Sequence, residues 1–368
     1  MAKMHFIMIG GFLGAGKTTT IARLARTFQE QGLNVGIVTN DQASDLVDTH
    51  NLRSQGFEVG EVAGACFCCN FNELTETASR LEGAHQPDVI LAEPVGSCTD
   101  LIATVVRPLR HFHQDQFSVA PYGVILKPSH GLRILRNEAK AGFSPQAAYI
   151  FKKQLEEADF VILNRIDELS VDVADELSSL IKGEFPEIPV LRTSALTGQG
   201  FEALVKFLQQ EGKFGLRSME VDYDVYAEGE AELGWLNSSL VVSSAQEFSL
   251  DELLQGILGR LRDSLVQHQA ETAHLKAIGM AEGTHAVANL ISSETEVELS
   301  LPSECQTKSA EVVVNARVAI DPQRLEEVVA TAIAAACDFY NAVPQFRKTQ
   351  SFRPGRPVPT HRFAEVVD

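Results

Sequence analysis

"GFLGAGKT", Gly11–Thr18, is the stretch on which the fold class turns. It follows a short apolar run, "HFIMIGG" (5–11), and opens an amphipathic stretch at 17–31. Glycines followed by Lys-Thr, set between a strand and a helix, are what a phosphate-binding loop requires. The glycines let the backbone curl so that its N–H groups point at phosphate oxygens. On this reading Gly11, Gly14, Ala15 and Gly16 form the cradle, and Thr19 carries it into the helix. Lys17 neutralises the β- and γ-phosphates, and the Thr18 hydroxyl ligates Mg²⁺.

Working outward, five more strand candidates follow: "NVGIVTND" (34–41), "DVILAEPVG" (88–96), "YGVILKP" (122–128), "DFVILNRID" (159–167) and "VLRTSA" (190–195). Several are continuously apolar, as parallel strands covered on both faces are. Amphipathic stretches at 71–83, 143–157, 171–182 and 200–210 alternate with them. Residues 1–212 therefore read as a three-layer α/β domain of P-loop NTPase type with a mainly parallel sheet. Ligands are expected at the carboxyl ends of its strands.

A change of composition follows. Residues 213–237 form an acidic linker, with six acids and no Lys or Arg between Glu220 and Glu232, closed by the single tryptophan, Trp235. A solvated spacer and an acidic face for a partner or cation are both open readings. Residues 238–345 read strand, long helix, three strands, helix, a smaller α+β domain of ferredoxin-like type. Leu254, Ile257, Leu258, Leu261 and Leu265 keep one face of its long helix apolar. The tail, 346–368, is basic: "QFRKTQSFRPGRPVPTHRF" holds five Lys/Arg and no acid. Disorder and folding back on the acidic surface are both open for it.

Composition bounds the function. A chain of 368 residues exceeds one usual core. A net charge of −18 argues against a nucleic-acid or anionic-membrane partner. No apolar run reaches the ~18 residues of a membrane span, and the first apolar run reads as a buried strand and not a signal peptide. Six unevenly spaced cysteines read as reduced thiols of a cytoplasmic protein.

Two further segments choose the base. The Asp167 carboxylate in "NRID" (Asn164–Asp167) can accept two hydrogen bonds from guanine, which adenine cannot supply. In "TSAL" (Thr193–Leu196), Ser194 and Ala195 sit where a backbone N–H can donate to guanine O6. Both resemble guanine-recognition motifs of GTPases, with Arg165 where a Lys is usual. Asp41 and Glu93, each at a strand end, are candidate carboxylates for Mg²⁺.

"GGFLGAGKTTT", the ExxG at Glu93–Gly96, "NRID" and a Cys-x-Cys-Cys at Cys66, Cys68 and Cys69 together resemble the CobW-type GTPases, relatives of the UreG and HypB metallochaperones. The resemblance covers residues 1–212; beyond them it extends only to the order of elements, a CobW C-terminal type of domain. It implies GTP hydrolysis to GDP and phosphate, with Lys17, Thr18 and Glu93 as catalytic residues. It also implies a client metalloprotein or cofactor enzyme, and a nucleotide-dependent homodimer as in UreG and HypB. The acidic "ELGWLN" segment and the basic tail depart from the pattern.

The three thiols admit several readings. A disulfide within Cys-x-Cys-Cys is strained, a catalytic thiol lacks a neighbouring His in sequence, and buried filler remains open. A transition-metal site, Zn²⁺ foremost and Co²⁺ or Fe²⁺ after it, is the favoured one, because three thiolates leave one coordination position open for release. Cys98, Cys305 and Cys337 read as structural, and His111 and His113 as solvated. The leading expectation is a GTP-hydrolysing metallochaperone. The alternatives are a GTP-gated activator of a cofactor-dependent, for example corrinoid-linked, enzyme with structural thiols, and a small-molecule kinase, which Asp167 disfavours.

Overall fold

The computed structural model describes residues 3–41, 47–81, 86–136, 144–217, 219–290 and 295–365, without the side chains of Asp41 and Val47. They fall into two compact units: Met1–Gln42, Phe57–Gly229 and Arg356–Asp368 in the first, Ala43–Gly56 and Glu230–Gly355 in the second.

In chain order the first part runs β1 (Met4–Gly11), α1 (Lys17–Glu30), β2 (Val35–Asp41), α2 (Val47–Ser54), β3 (Glu58–Ala63), α3 (Phe71–Arg80) and β4 (Val89–Glu93). A π-helical turn (Ile102–Val106) then leads into α4 (Arg107–Phe112), β5 (Phe117–Val119) and β6 (Gly123–Leu126). Next come α5 (Pro128–Leu135), α6 (Pro145–Glu157) and β7 (Phe160–Leu163). After these come α7 (Val171–Glu184), β8 (Val190–Arg192), α8 (Phe201–Leu208) and α9 (Tyr223–Ala231). The sheet order is β3-β2-β4-β1-β6-β7-β8, with β5 beside the start of β1. Every pairing is parallel. Strands β1, β4, β6 and β7 are buried almost throughout, as their unbroken apolar sequence requires.

Helices cover the sheet because their apolar residues recur on one face. Ile21, Leu24, Ala25 and Phe28 of α1 are all buried. Two caps are local: the Ser144 and Ser170 side chains accept from Ala147 N and Val173 N at the starts of α6 and α7. Strand β3, "EVGEVA", lies directly before the cysteines and was not among the sequence-derived strands, since it alternates only weakly.

The second unit is β9 (Gly234–Ser249), α10 (Leu250–Gln267), β10 (Thr272–Ala281), β11 (Thr284–Leu290), β12 (Glu298–Leu301), β13 (Gln306–Val318), α11 (Pro322–Phe339) and β14 (Ala342–Phe352). Its antiparallel sheet is ordered β12-β11-β10-β13-β9-β14. The run β14-β9-β13-β10 is the ferredoxin-like arrangement, which β11 and β12 extend beyond β10. Leu253, Leu254, Ile257, Leu258 and Leu261 of α10 share a core with Val329 and Ile333 of α11. Ser249 caps α10 by accepting from Glu252 N, and Asp321 caps α11 at Gln323 and Arg324.

Three segments differ from the sequence expectation. The 213–237 stretch is not an extended spacer: it holds α9, and β9 already begins at Gly234. Trp235 is fully buried there, with the Arg317 guanidinium 4.1 Å over its ring, which roots the strand. Residues 346–352 are strand, not tail, because β14 pairs along β9 as far as Phe352–Trp235. Helix α2 belongs with the second unit, where Asp48 accepts from Lys276 at 2.6 Å.

Candidate nucleotide and thiol sites

The loop between β1 and α1 is preformed. Gly11, Gly14 and Gly16 all hold positive φ, and a Cβ on Gly11 would lie 2.3 Å from the Ile125 carbonyl oxygen. The first turn of α1 has no acidic residue, so the positive end of its dipole is open to an anion. Lys17 is buried, and its Nζ donates to the Gly11 carbonyl at 2.9 Å and the Phe12 carbonyl at 3.4 Å. The ammonium is thus folded back over its own loop. Gly96 closes this space from β4's side: a Cβ there would stand 3.0 Å from Lys17 Nζ.

The Thr18 hydroxyl donates to Glu93 Oε1 at 2.9 Å, and both residues are buried. A hydroxyl and a carboxylate side by side are hard oxygen donors suited to Mg²⁺. Asp41 ends β2 opposite Ala63 of β3; its side chain lies outside the described residues.

Asn164 joins three parts of the site. It donates from Nδ2 to the Ala15 carbonyl at 3.0 Å and accepts at Oδ1 from Ala195 N at 2.9 Å. Arg165, the departure in this motif, takes a left-handed φ of 61 and pairs with Glu168 at 3.0 Å. Asp167 follows in a short 3-10 turn with its side chain exposed. Ser194 is buried, and its hydroxyl accepts from Thr197 N at 3.0 Å to tighten the loop. Arg23 holds that loop from α1 through the Ala195 and Leu196 carbonyls, both at 2.6 Å. Phosphate loop and base loop are therefore one connected assembly.

The cysteine loop is built differently. Cys66 O accepts from Cys69 N and Asn70 N at 2.9 Å, a tight turn that opens α3. Cys66 and Cys68 are buried and Cys69 is half-buried. Cys68 and Cys69 Sγ stand 3.7 Å apart, and Cys66 is hydrogen-bonded to both. The Cys66 contact, then that of Cys69, then burial push the Cys68 thiol well above its ordinary pKa. Among the described residues no three His, Cys, Asp or Glu side chains surround a common metal position. The thiols are gathered into one contact cluster in which the pKa values of Cys68 and Cys69 are raised, in both cases by the Cys66 contact first.

Two positioning elements escaped the sequence reading. Asn40 donates to the Val62 and Ala65 carbonyls at 2.8 and 2.7 Å and accepts from Phe67 N at 2.9 Å. It pins the cysteine loop to the end of β2, next to Asp41. The basic tail supplies the other: Thr360 donates from N to Cys68 O and from Oγ1 to Cys69 O, both at 2.8 Å. Of the lesser candidates, Cys98 is buried beneath α6, where Gln154 donates to its carbonyl at 2.8 Å, and Cys337 lies in the second core. The His111 and His113 rings pack on Phe112 and Phe71 respectively.

Residues 5–192, half of the chain, match the family model described as the CobW/HypB/UreG nucleotide-binding domain. The chain belongs to this family. The CobW/HypB/UreG chain is 26% identical over 217 residues to a zinc chaperone CobW of Pseudomonas aeruginosa, covering 50% of this chain and 55% of that one. It is 28% identical over 223 residues to urease accessory protein UreG 2 of a Bradyrhizobium species, covering 56% and 90%. The zinc chaperone YeiR of Escherichia coli is 27% identical over 166 residues, covering 44% and 46%. The match thus spans about half the length of the CobW and YeiR relatives. Among solved structures, HypB of Archaeoglobus fulgidus is similar at TM-score 0.39 and 19% identity, covering 56% of this chain and 89% of that one. Zn(II)-bound YjiA GTPase of Escherichia coli is similar at TM-score 0.36 and 16% identity, covering 91% and 99%. No helix among the described residues is long and apolar enough to cross a membrane.

Proposed function

We propose that this chain hydrolyses GTP and couples that reaction to the binding and hand-over of a transition-metal ion, Zn²⁺ foremost, at Cys66, Cys68 and Cys69. The observation that carries the coupling is Asn40. One side chain holds the cysteine loop with two hydrogen bonds and the end of β3 with a third, and the next residue is Asp41, a carboxylate candidate of the phosphate site. A displacement at the end of β2 therefore reaches the thiols without an intermediary.

In this reading the N–H groups of the Gly11–Lys17 loop hold the β- and γ-phosphates. Lys17 leaves its two carbonyl partners for phosphate oxygens, exchanging neutral hydrogen bonds for charged ones. Mg²⁺, held by Thr18 with Glu93 and Asp41, supplies charge neutralisation on the transferred phosphoryl group. Asp167 accepts from guanine, and Asn164 keeps the Ala195 N–H aligned beside the base. The ion is cargo: binding it displaces the thiol protons, and a client metalloprotein accepts it at the open coordination position.

The test is GTP turnover with and without Zn²⁺, and Zn²⁺ stoichiometry with and without nucleotide, for the parent chain and a Cys66→Ala/Cys68→Ala/Cys69→Ala variant. One tightly held ion, with nucleotide-dependent affinity abolished in the variant, is expected. Coupling is reciprocal, so Zn²⁺ must shift GTP affinity by the same factor. The mutual contact of the thiols, with no three donors around a common metal position among the described residues, favours a second reading, a GTP-gated protein activator with structural cysteines. Under it, the parent chain holds no ion in reducing, metal-replete buffer.

A further inference from the structure

The basic tail does not float. Residues 356–364 run as an extended strap across the first unit and lie on the cysteine loop. At its start Arg356 donates to Asp224 of α9 at 2.7 Å. Thr360 then makes its two 2.8 Å bonds to the carbonyls of Cys68 and Cys69. The His361 ring meets Phe71, the first residue of α3, edge-on at 5.3 Å, and Phe112 at 4.9 Å.

Beyond the thiols the strap is held by buried groups. Arg362 donates to Asp100 at 2.7 Å, and Tyr223 donates to the same carboxylate oxygen at 2.7 Å. Asp100 is buried and Arg362 partly exposed, so this is a charge-assisted grip anchored on a buried carboxylate. Phe363 N donates to Ala103 O at 2.8 Å. The buried Arg107 accounts for the rest, donating to the Phe363 and Ala364 carbonyls at 2.8 and 2.7 Å. Its other nitrogens bind the carbonyls of Gly215, Leu216 and Arg217, which fixes the guanidinium in place as a clasp.

We propose that residues 356–364 are an autoinhibitory strap, which holds the Cys66–Cys69 loop closed and must detach before an ion held there can pass to an acceptor. The second half rests on the metal reading of the thiols; the first does not. The two Thr360 bonds to the carbonyls of Cys68 and Cys69 fix the loop that presents the thiols, so the strap both positions and shields. A client that takes the ion has to compete with the chain's own C-terminal segment for this loop.

The experiment uses the full chain with Arg362→Gln, which removes the charge that grips Asp100, and Thr360→Val, which removes the hydroxyl that donates to the Cys69 carbonyl. Alkylation of Cys66, Cys68 and Cys69 by N-ethylmaleimide is timed by peptide mass mapping on the metal-free protein. Zn²⁺ transfer to a chromophoric chelator is timed on the loaded protein, and a thermal melt verifies that each variant is folded. Losing a charge-assisted anchor is expected to raise Cys69 alkylation and Zn²⁺ transfer about tenfold in Arg362→Gln. Unchanged alkylation in both folded variants overturns the strap. Faster alkylation with unchanged Zn²⁺ transfer overturns its role in release. Faster alkylation of chains that bind no Zn²⁺ in any form supports the strap as a thiol cover and overturns the metal reading alone.

Discussion

The phosphate loop and the cysteine loop lie at carboxyl ends of strands in the same sheet, yet one is finished and the other conditional. In the phosphate loop three glycines at positive φ set the backbone, and Lys17 already sits in the space with its ammonium satisfied by carbonyls. On the proposed reading a nucleotide replaces those partners and little else moves. In the cysteine loop the donors satisfy one another, Cys66 with Cys68 and Cys69, and the strap covers them. On the proposed reading an ion binds there only as protons leave and sulfurs part. A preformed site gives affinity at low reorganisation cost, whereas a conditional one gives an equilibrium that another event can tip.

Four measurements break or sharpen this contrast. The largest effect belongs to Lys17→Ala, which removes the buried ammonium held over the glycine loop. GTP turnover is expected to fall about 100- to 1,000-fold, as for loss of a preorganised charge-stabilising donor. A fall in GTP affinity without one in turnover would make the lysine a binding group only.

Next is pH. The Cys68 thiol is pushed up by its neighbours and by burial, so at neutral pH it is protonated and metal must displace the proton. Protons compete, so Zn²⁺ affinity rises with pH throughout the range below the raised thiol pKa, by about tenfold per pH unit for each proton released. On the proposed reading GTP binding displaces no thiol proton, so its affinity is expected to change much less steeply than that of Zn²⁺ between pH 6 and 8. Titrations of both ligands across that range test the contrast directly, and equal slopes would erase it.

Asn40→Ala comes third. It frees the cysteine loop from β2 and is expected to weaken Zn²⁺ binding about tenfold, as loss of a supporting hydrogen bond around a metal site does. GTP turnover without metal should persist while its response to Zn²⁺ disappears. A retained response would move the coupling away from β2. The smallest effect is that of Gly96→Ala, whose Cβ meets Leu13 Cδ2 at 2.7 Å and Lys17 Nζ at 3.0 Å. Lys17 has a flexible stem and can yield, so a rise of a few-fold, about 1 kcal/mol, in KM for GTP is expected.

Much of the first unit was legible because its signals are local. An apolar run, three glycines and Lys-Thr occupy fourteen residues from His5 to Thr18, and each dictates conformation through its own backbone. The "NRID" and "TSAL" segments were legible as motifs, although only the structure joined them through Asn164 to Ala15 and Ala195. Strand β3 was missed because half of "EVGEVA" is Glu or Gly, and its place at the sheet edge lowers the demand for apolar residues. The 213–237 segment misled by its charge: Asp224 and Glu228 of α9 are exposed, but Tyr226 and even the acid Glu230 are buried.

By itself, the sequence determined the strand–loop–helix that makes a phosphate cradle, the presence of guanine-type motifs in their order, and a cluster of three thiols between two strands. Their conformation rests on residues near in the chain, where loop-closure entropy is small. Only the tertiary structure decided that α2 packs with the second unit, that Asn40 grips the cysteine loop, and that the C-terminal strap closes over it. Thr360 and Cys69 are separated by 291 residues. A pairing at that distance leaves no periodicity to read, because it exists only once the elements between them have packed.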